Sequence, residues 1–192
     1  MKKKEIISLV LATENAYIWS SAVLKQIDRV NNNKNAEKYE RQIERIADDH
    51  FLKISLVHLY NWVEYIERYV TYSEYSKLYE TKKFTGFSTI LKEKCNIKSY
   101  RNMGEHDIDY YAGNGRIQEK FYNDNYNQSK LQPLIGETGE YLLSGEINID
   151  MVRDVVTKIK RQMKNNCFDI KIKTLQLPEK DLLELFDGKI VL

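Results

Sequence analysis

The sequence predicts a mostly all-α fold, an antiparallel helical bundle with a small strand-containing appendage at its C-terminal end. Apolar residues recur at steps of three and four over long stretches, which is the spacing of amphipathic helices. Residues 36–72 contain neither glycine nor proline, and the whole chain of 192 residues has only two prolines. One short stretch near residue 170 alternates apolar and charged residues instead, as a strand does.

Length and composition indicate one globular domain spanning residues 1–192. With 42% hydrophobic and 30% charged residues, the chain has the balance of an ordinary soluble protein. Its net charge of +2 is too small to indicate nucleic-acid binding by itself, so any basic surface must be local. Cys95 and Cys167 stand outside any CxxC pair, which fits a reducing cytoplasm better than a disulfide framework.

The basic N-terminus and the short apolar run behind it do not predict a signal peptide. Glu5 and the polar residues 13–15 interrupt the run, and no clear small-residue cleavage site follows. No stretch of the chain approaches the ~20 apolar residues that a membrane-spanning helix requires. We therefore expect a cytoplasmic protein without a membrane segment.

Two long helices are predicted in the first part of the chain. Apolar residues at helical spacing place the first over residues 5–30, and the asparagine-rich stretch 31–35 forms a polar turn after it. The second periodic run covers residues 36–72, either as one helix or as two with a break near Asp48–Asp49. Because the joining turn is short, the two helices are expected to pack antiparallel through their apolar stripes.

A short helix over residues 84–95 and another over residues 100–112 are predicted next. Ser99 is the expected N-cap of the second of these, and Gly113 is its expected end. Residues 113–147 are rich in Gly, Asn, Gln and Tyr and show weak periodicity. A connector of that length is usually functional or mobile.

The C-terminal part is predicted as a helix followed by a β-containing tail over residues 165–192. Asn148 is the expected N-cap of the helix, and Asp150 complements its positive end. The alternation of apolar and charged residues over 168–172 predicts a strand after it. The predicted apolar face of the helix consists of Met151, Val152, Val155, Val156, Ile159 and Met163.

The strongest chemical signal is the spacing Arg101-Asn102-x-x-x-His106. Cleavage of RNA without a metal requires a proton to leave the ribose 2′-hydroxyl, a proton to reach the leaving 5′-oxygen, and stabilisation of the phosphorane. A histidine suits proton transfer near neutral pH, and the planar guanidinium of an arginine matches two phosphate oxygens. The motif therefore contains both the residue type that transfers protons and the residue type that binds phosphate.

Helical geometry constrains how this motif can act. Asn102 and His106 lie four residues apart and share one helix face. Arg101 and His106 are separated by roughly 140° around an ideal helix, so one regular helix does not aim both at the same phosphate. A position of Arg101 in the first turn relaxes this constraint, and pairing of two copies across a two-fold axis relaxes it further.

The motif, placed after two long helices, resembles that of HEPN domains, many of which are metal-independent ribonucleases. The resemblance covers about residues 5–112 and implies a homodimer in which paired motifs line one cleft. It implies that Arg101 holds the scissile phosphate, that His106 transfers protons and that Asn102 orients either of them. It further implies a role in toxin–antitoxin pairs or anti-phage defence, with an antitoxin or regulatory protein as a possible partner. Some family members carry a tyrosine two residues after the histidine, where this chain has Ile108.

Several residues outside the motif are candidates for binding RNA. Residues 151–173 contain seven basic and two acidic residues, and Lys160 and Arg161 are the proposed backbone contacts. A solvated helix face explains this charge equally well. Tyr110 and Tyr111 lie about one turn from His106 and are candidates for stacking on bases, although tyrosines in helical proteins more often serve packing.

A non-catalytic helical module that binds RNA or protein is the alternative interpretation. Arg101 and Glu105 have the spacing of an ordinary ion pair on a helix surface. The three histidines are too scattered for a metal site, so neither a metal nor another cofactor is expected. Of the remaining two histidines, His50 is expected at the core or its boundary, and no role is assigned to His58.

Overall fold

The computed structural model is mostly helical and carries a small three-stranded antiparallel sheet, which confirms the predicted fold class. It describes residues 3–33, 39–72, 86–95, 97, 112, 114–116, 122–123, 128–129 and 134–175. The described helices are α1 (Lys3–Asn33), α2 (Tyr39–Tyr72), α3 (Phe87–Cys95) and α4 (Ile149–Leu175). The described strands are β1 (Tyr122–Asn123), β2 (Gln128–Ser129), β3 (Leu134–Ile135), β4 (Tyr141–Leu143) and β5 (Ile147–Asn148).

The first two helices form the centre of the fold. They pack against each other, and α2 runs without a break through Asp48–Asp49, which settles the alternative that the sequence left open. The buried residues of each helix recur at three- and four-residue steps, so one stripe of each helix faces the core. The fully buried side chains of these stripes include Ala12, Ala16, Val23, Ile27 and Val30 of α1 and Leu52, Leu59, Val63 and Ile66 of α2.

Helix α4 packs along α1, while α3 contacts both α2 and α4. The side-chain oxygen of Asn148 accepts hydrogen bonds from the backbone N–H groups of Asp150 (2.8 Å) and Met151 (3.4 Å). This confirms Asn148 as the N-cap of α4. The predicted apolar face is confirmed as well, because Val152, Val156, Ile159 and Met163 are fully buried and Met151 and Val155 are partly buried against the core.

The N-terminus of α3 is fixed by a carboxylate of α2. Glu67 accepts hydrogen bonds from the backbone N–H and from the hydroxyl of Ser88 in the first turn of α3. A negative charge at this position satisfies an otherwise unpaired amide and complements the positive end of the helix dipole. Gly86 precedes the helix at a φ of 103°, a conformation that glycine adopts without the penalty of a Cβ atom.

A three-stranded antiparallel sheet of order β3–β4–β5 precedes α4. The turn between β3 and β4 is closed by hydrogen bonds from Gly136 N to Glu140 O (2.8 Å) and from Gly139 N to Gly136 O (3.0 Å). Tyr141 and Leu143 of β4 are buried, and β4 and β5 both contact α4. The sheet therefore packs against the helical layer through one of its faces. Strands β1 and β2 form a separate antiparallel pair.

The predicted strand over residues 168–172 is wrong, because α4 continues to Leu175. No glycine or proline interrupts residues 149–175, and adding a residue to an established helix is easier than starting a new element. The part of the tail from residue 176 onward lies outside the described residues. The strands lie earlier, between residues 122 and 148, so the described part of the segment 113–147 contains strands where the sequence showed only weak periodicity. His50 is exposed, so its assignment to the core boundary is also wrong.

Candidate functional site

The motif residues Arg101, Asn102 and His106 lie outside the described residues, as do Tyr110 and Tyr111. Their positions and the 100–112 helix therefore stay predictions. The described elements that flank the motif in sequence are α3, which ends at Cys95, and the strand pair β1–β2, which begins at Tyr122. Ile97 between them is buried in the core.

The two predicted phosphate-binding residues of α4 have different surroundings. The Nζ of Lys160 lies 5.5 Å from the centroid of the Tyr17 ring, so this lysine contacts α1 through a cation–π interaction. The side chain of Arg161 is exposed on the same helix. Lys160 is thus partly used for helix packing, whereas Arg161 presents its charge to solvent.

A second contact between α1 and α4 involves charges. The guanidinium of Arg153 forms an ion pair of 2.8 Å with Asp28, and both side chains are at least a third exposed. An ion pair of this exposure contributes only about 0–1 kcal/mol to stability. Two of the basic residues of α4, Arg153 and Lys160, therefore hold α1 and α4 together in part. Among the basic side chains of α4 that the structure describes, those of Lys158, Arg161 and Lys164 are exposed.

The described part of the chain also contains a buried polar network that the sequence reasoning did not identify. Asp48 and Asp49 are consecutive in α2, and each is only 1% exposed. Asp48 receives a hydrogen bond of 3.0 Å from the side-chain amide of Asn33 and pairs with the guanidinium of Arg29 at 2.8 Å. The C-terminal turns of α1 are thereby linked to α2.

Asp49 makes the second half of this network. One of its carboxylate oxygens lies 2.6 Å from the Nζ of Lys53, one turn further along α2, and the other accepts a hydrogen bond of 3.1 Å from the hydroxyl of Tyr141. Burial raises the pKa of Asp49 above its ordinary value, although Lys53 and Tyr141 both favour the charged form. Burial, followed by the charge of Asp49, also raises the pKa of the Tyr141 phenol.

An acid, an amine and a phenol in contact are groups that can transfer protons. They can act on a substrate only if their side chains are accessible. Lys53 is 8% exposed, and Asp49 and Tyr141 are each 1% exposed. A substrate has no access to side chains buried to this degree. The network is therefore a structural link between α1, α2 and β4. The sequence signal for this network is an aspartate at a core position of a helix. Asp49 lies seven residues before Leu56 and therefore falls on the same buried stripe.

A pair of aromatic rings bridges α1 and α2 at the surface. The ring of Trp19 stacks on the imidazole of His58 at a centroid distance of 4.2 Å and an interplanar angle of 13°. His58 is exposed and Trp19 is partly buried. The two helices also carry exposed apolar residues, notably Leu11 and Ile18 of α1 and Phe51 and Ile54 of α2.

Within the residues that the structure describes, no cluster of three or more His, Cys, Asp or Glu side chains is arranged to hold a metal ion. Among the described helices, none combines the length and the apolar character needed to cross a membrane. The chain matches no family model, no curated protein and no solved structure.

Proposed function

We propose that the chain is a metal-independent endoribonuclease of the HEPN type that acts on RNA in the cytoplasm as a homodimer. The observation that carries the proposal is the sequence Arg101-Asn102-x-x-x-His106, which follows two long helices. The mostly helical fold and the packing of α1 against α2 support it, since they agree with the layout that the resemblance implies.

In the proposed reaction the ribose 2′-oxygen attacks the adjacent phosphorus and the bond to the 5′-oxygen breaks. His106 takes part in the proton transfers, which remove a proton from the 2′-hydroxyl and deliver one to the departing 5′-oxygen. Arg101 stabilises the charge that accumulates on the phosphorane, and Asn102 orients the histidine or the phosphate. The products are a 2′,3′-cyclic phosphate and a 5′-hydroxyl.

Binding of the RNA backbone is assigned in this proposal to the basic residues of α4. Arg161 and Lys164 are exposed, and the side-chain nitrogen of Lys160 lies over the ring of Tyr17. Tyr110 and Tyr111 are proposed to stack on bases near the scissile bond. In a toxin–antitoxin or anti-phage setting, a partner protein would control the activity.

The second candidate function is a non-catalytic module that binds RNA or protein. The exposed apolar side chains of α1 and α2 favour it, since contiguous apolar surface on a folded domain often marks a binding site. In that case the motif serves structure or RNA affinity, and binding depends more on Lys160 and Arg161 than on His106.

Expression in bacteria from a tightly controlled promoter separates the two functions. The wild type is compared with Arg101→Ala, His106→Ala and the control His50→Ala, which removes an exposed histidine of α2 far in sequence from the motif. We expect growth arrest and new RNA fragments, in lysates that contain EDTA, with the wild type and with His50→Ala only. Equal growth and intact RNA in all four strains would contradict an unassisted nuclease.

A further inference from the structure

Helix α2 presents an uncharged surface to solvent over much of its length. The chain is 30% charged, yet none of the exposed side chains between residues 46 and 67 of α2 belongs to a Lys, Arg, Asp or Glu. The exposed side chains in this range are those of Ile46, Ala47, His50, Phe51, Ile54, His58, Asn61 and Tyr65. A helix face of this composition is typical of one that packs against a partner rather than one that faces water.

Helix α1 continues this surface beside α2. Leu11 and Ile18, which lie two turns apart on one side of α1, are 50% and 58% exposed. The residue that follows Ile18 is Trp19, whose ring stacks on His58 of α2. Ile54 and Tyr65 lie four residues before and seven residues after His58, and therefore on the same side of α2. We call the surface around this stack the outer face, and its exposed residues are Leu11, Ile18, Ile54, His58 and Tyr65.

We propose that the outer face binds the C-terminal segment of its own chain, residues 176–192, which lies outside the described residues. Apolar residues of this segment recur at steps of three and four, and a helix with this spacing has one apolar side. These residues are Leu182, Leu183, Phe186 and Ile190. The acidic Asp181 and Glu184 fall on the other side of such a helix, where they would face water.

The course of α4 brings this segment to the outer face. Arg153 contacts Asp28, and Lys160 contacts Tyr17, so α4 runs antiparallel along α1. Helix α4 ends at Leu175, about 22 Å beyond Lys160 at the helical rise. The C-terminal segment therefore starts at the level of the first turns of α1.

The outer face lies close to α4 around the axis of α1. Tyr17, which contacts α4, and Ile18, which belongs to the outer face, are consecutive residues and point about 100° apart. A chain that leaves the end of α4 therefore has to pass over only one side of α1. Pro178 favours a change of direction at this point, because a proline interrupts the hydrogen bonding of a continuing helix.

The linking residues are long enough for this path. The level of Leu11 is about 12 Å from that of Lys3, the first residue of α1. Residues 176–181 span up to about 20 Å when extended. Leu182 can therefore reach Leu11, and Phe186, about 6 Å further along a helix, can reach Ile18.

Other occupants fit the outer face less well. RNA or an anionic membrane surface would require cations, and residues 46–67 of α2 expose no lysine or arginine. The homodimer of the proposed function pairs the motifs and leaves the outer face free. A tethered segment reaches an effective concentration in the millimolar range, which a separate chain rarely does. A partner protein that uses the outer face would therefore have to displace the segment.

Disulfide cross-linking in the full chain tests the position of the segment. Ile18→Cys and Phe186→Cys are combined with Cys167→Ser, so that the one other thiol, Cys95, is buried. Mild oxidation is expected to give an intrachain disulfide, favoured about a hundredfold over an interchain one at micromolar protein.

Ile43→Cys, combined with the same Phe186→Cys and Cys167→Ser, is the matched control. Ile43 is also an exposed isoleucine (52%), but it lies about 22 Å along α2 from His58. This variant is expected to remain reduced under the same conditions.

Tryptophan fluorescence gives a second readout that needs no added thiol. The two tryptophans of the chain are Trp19, in the stack at the outer face, and Trp62, one turn from His58. Leu183→Glu/Phe186→Glu should raise the acrylamide quenching constant about twofold, because solvent reaches the outer face once the segment leaves it. Glu184→Gln, on the other side of the predicted helix, should leave the constant unchanged. Circular dichroism of each variant establishes that it is folded.

The inference goes beyond the proposed ribonuclease function and does not depend on it. Equal cross-linking of the Ile18→Cys and Ile43→Cys variants, or interchain disulfides alone, would overturn it. Unchanged quenching in Leu183→Glu/Phe186→Glu would also overturn it. An intrachain disulfide in a chain without ribonuclease activity would support it and would contradict only the proposed function.

Discussion

The hydroxyl of Tyr141 in β4 donates a hydrogen bond of 3.1 Å to the buried carboxylate of Asp49 in α2, 92 residues earlier in the chain. Both side chains are only 1% exposed. The bond attaches the small sheet to the central helix pair. Its removal therefore tests whether the buried network holds the sheet in place.

Tyr141→Phe is expected to lower the free energy of unfolding by about 1.5–3 kcal/mol, because the ring keeps its packing while the buried carboxylate loses a donor. Urea denaturation followed by circular dichroism measures the change. Tyr65→Phe, at the more exposed surface of α2, should change stability by less than about 0.5 kcal/mol. Equal effects of the two substitutions would show that the bond to Asp49 does not stabilise the fold.

The ion pair between Lys53 and Asp49 predicts a pH-dependent effect. The pKa of Asp49 in the folded chain lies above its ordinary value of 3.8, so its contribution to stability is full below that pH and is lost as the pH rises through the folded pKa. Lys53→Met removes a neighbouring positive charge, which raises this pKa further. We expect a loss of about 3 kcal/mol at neutral pH and a smaller loss in acid.

The double variant Lys53→Met/Asp49→Asn is the control for that prediction. It removes both charges, so it should recover most of the stability at neutral pH and lose the added pH dependence. Urea denaturation of the two variants and the wild type at several pH values gives the comparison. If the double variant were less stable than Lys53→Met, the carboxylate of Asp49 would stabilise the fold by itself.

Ser144 lies at a backbone conformation that favours glycine. It has a φ of 56° in the turn between β4 and β5, and its buried hydroxyl has no hydrogen-bond partner among the described residues. Ser144→Gly relieves the left-handed backbone and removes an unsatisfied polar group, so the free energy of unfolding should rise by about 1 kcal/mol. Thermal denaturation measures this, and a lower melting temperature for Ser144→Gly would contradict it.

Cys95 is expected to react slowly with thiol reagents in the folded protein. Its side chain is buried, and burial raises the pKa of the thiol to about 11, so the reactive thiolate is scarce at neutral pH. In a Cys167→Ser variant, which leaves one thiol per chain, reaction with a chromogenic disulfide should become fast only in urea. Fast reaction without urea would show that Cys95 is accessible.

The helices could be predicted from the sequence because their signals are local and repeated. The buried steps from Ala16 to Val23 and from Leu56 to Val63 each follow helical spacing, and Asn148 begins α4 as its side chain suggests. The strands β3 to β5 could not be predicted, since two or three residues are too few to show a period. The alternation over 168–172 covers only five residues, which is also too short to identify a strand, and α4 continues through it.

The buried network was missed for a different reason. Asp48 and Asp49 resemble surface charges or a helix break in isolation, and only the partners Arg29 and Tyr141, distant in sequence, make their burial possible. The exposed apolar residues of α1 and α2, such as Ile18 and Phe51, were not recognised as exposed, because helical periodicity identifies apolar residues but does not separate a core stripe from an exposed one. The motif at Arg101 and His106 lies outside the described residues and stays a prediction.

Incubation of purified wild type and His106→Ala with a single-stranded RNA in EDTA tests the central claim most directly. We predict fragments that end in a 2′,3′-cyclic phosphate with the wild type, and at least a hundredfold slower cleavage with His106→Ala at unchanged RNA affinity, a factor typical of losing a general acid or base. Intact RNA with the folded wild type, or equal cleavage by both proteins, would contradict a ribonuclease site at residues 101–106.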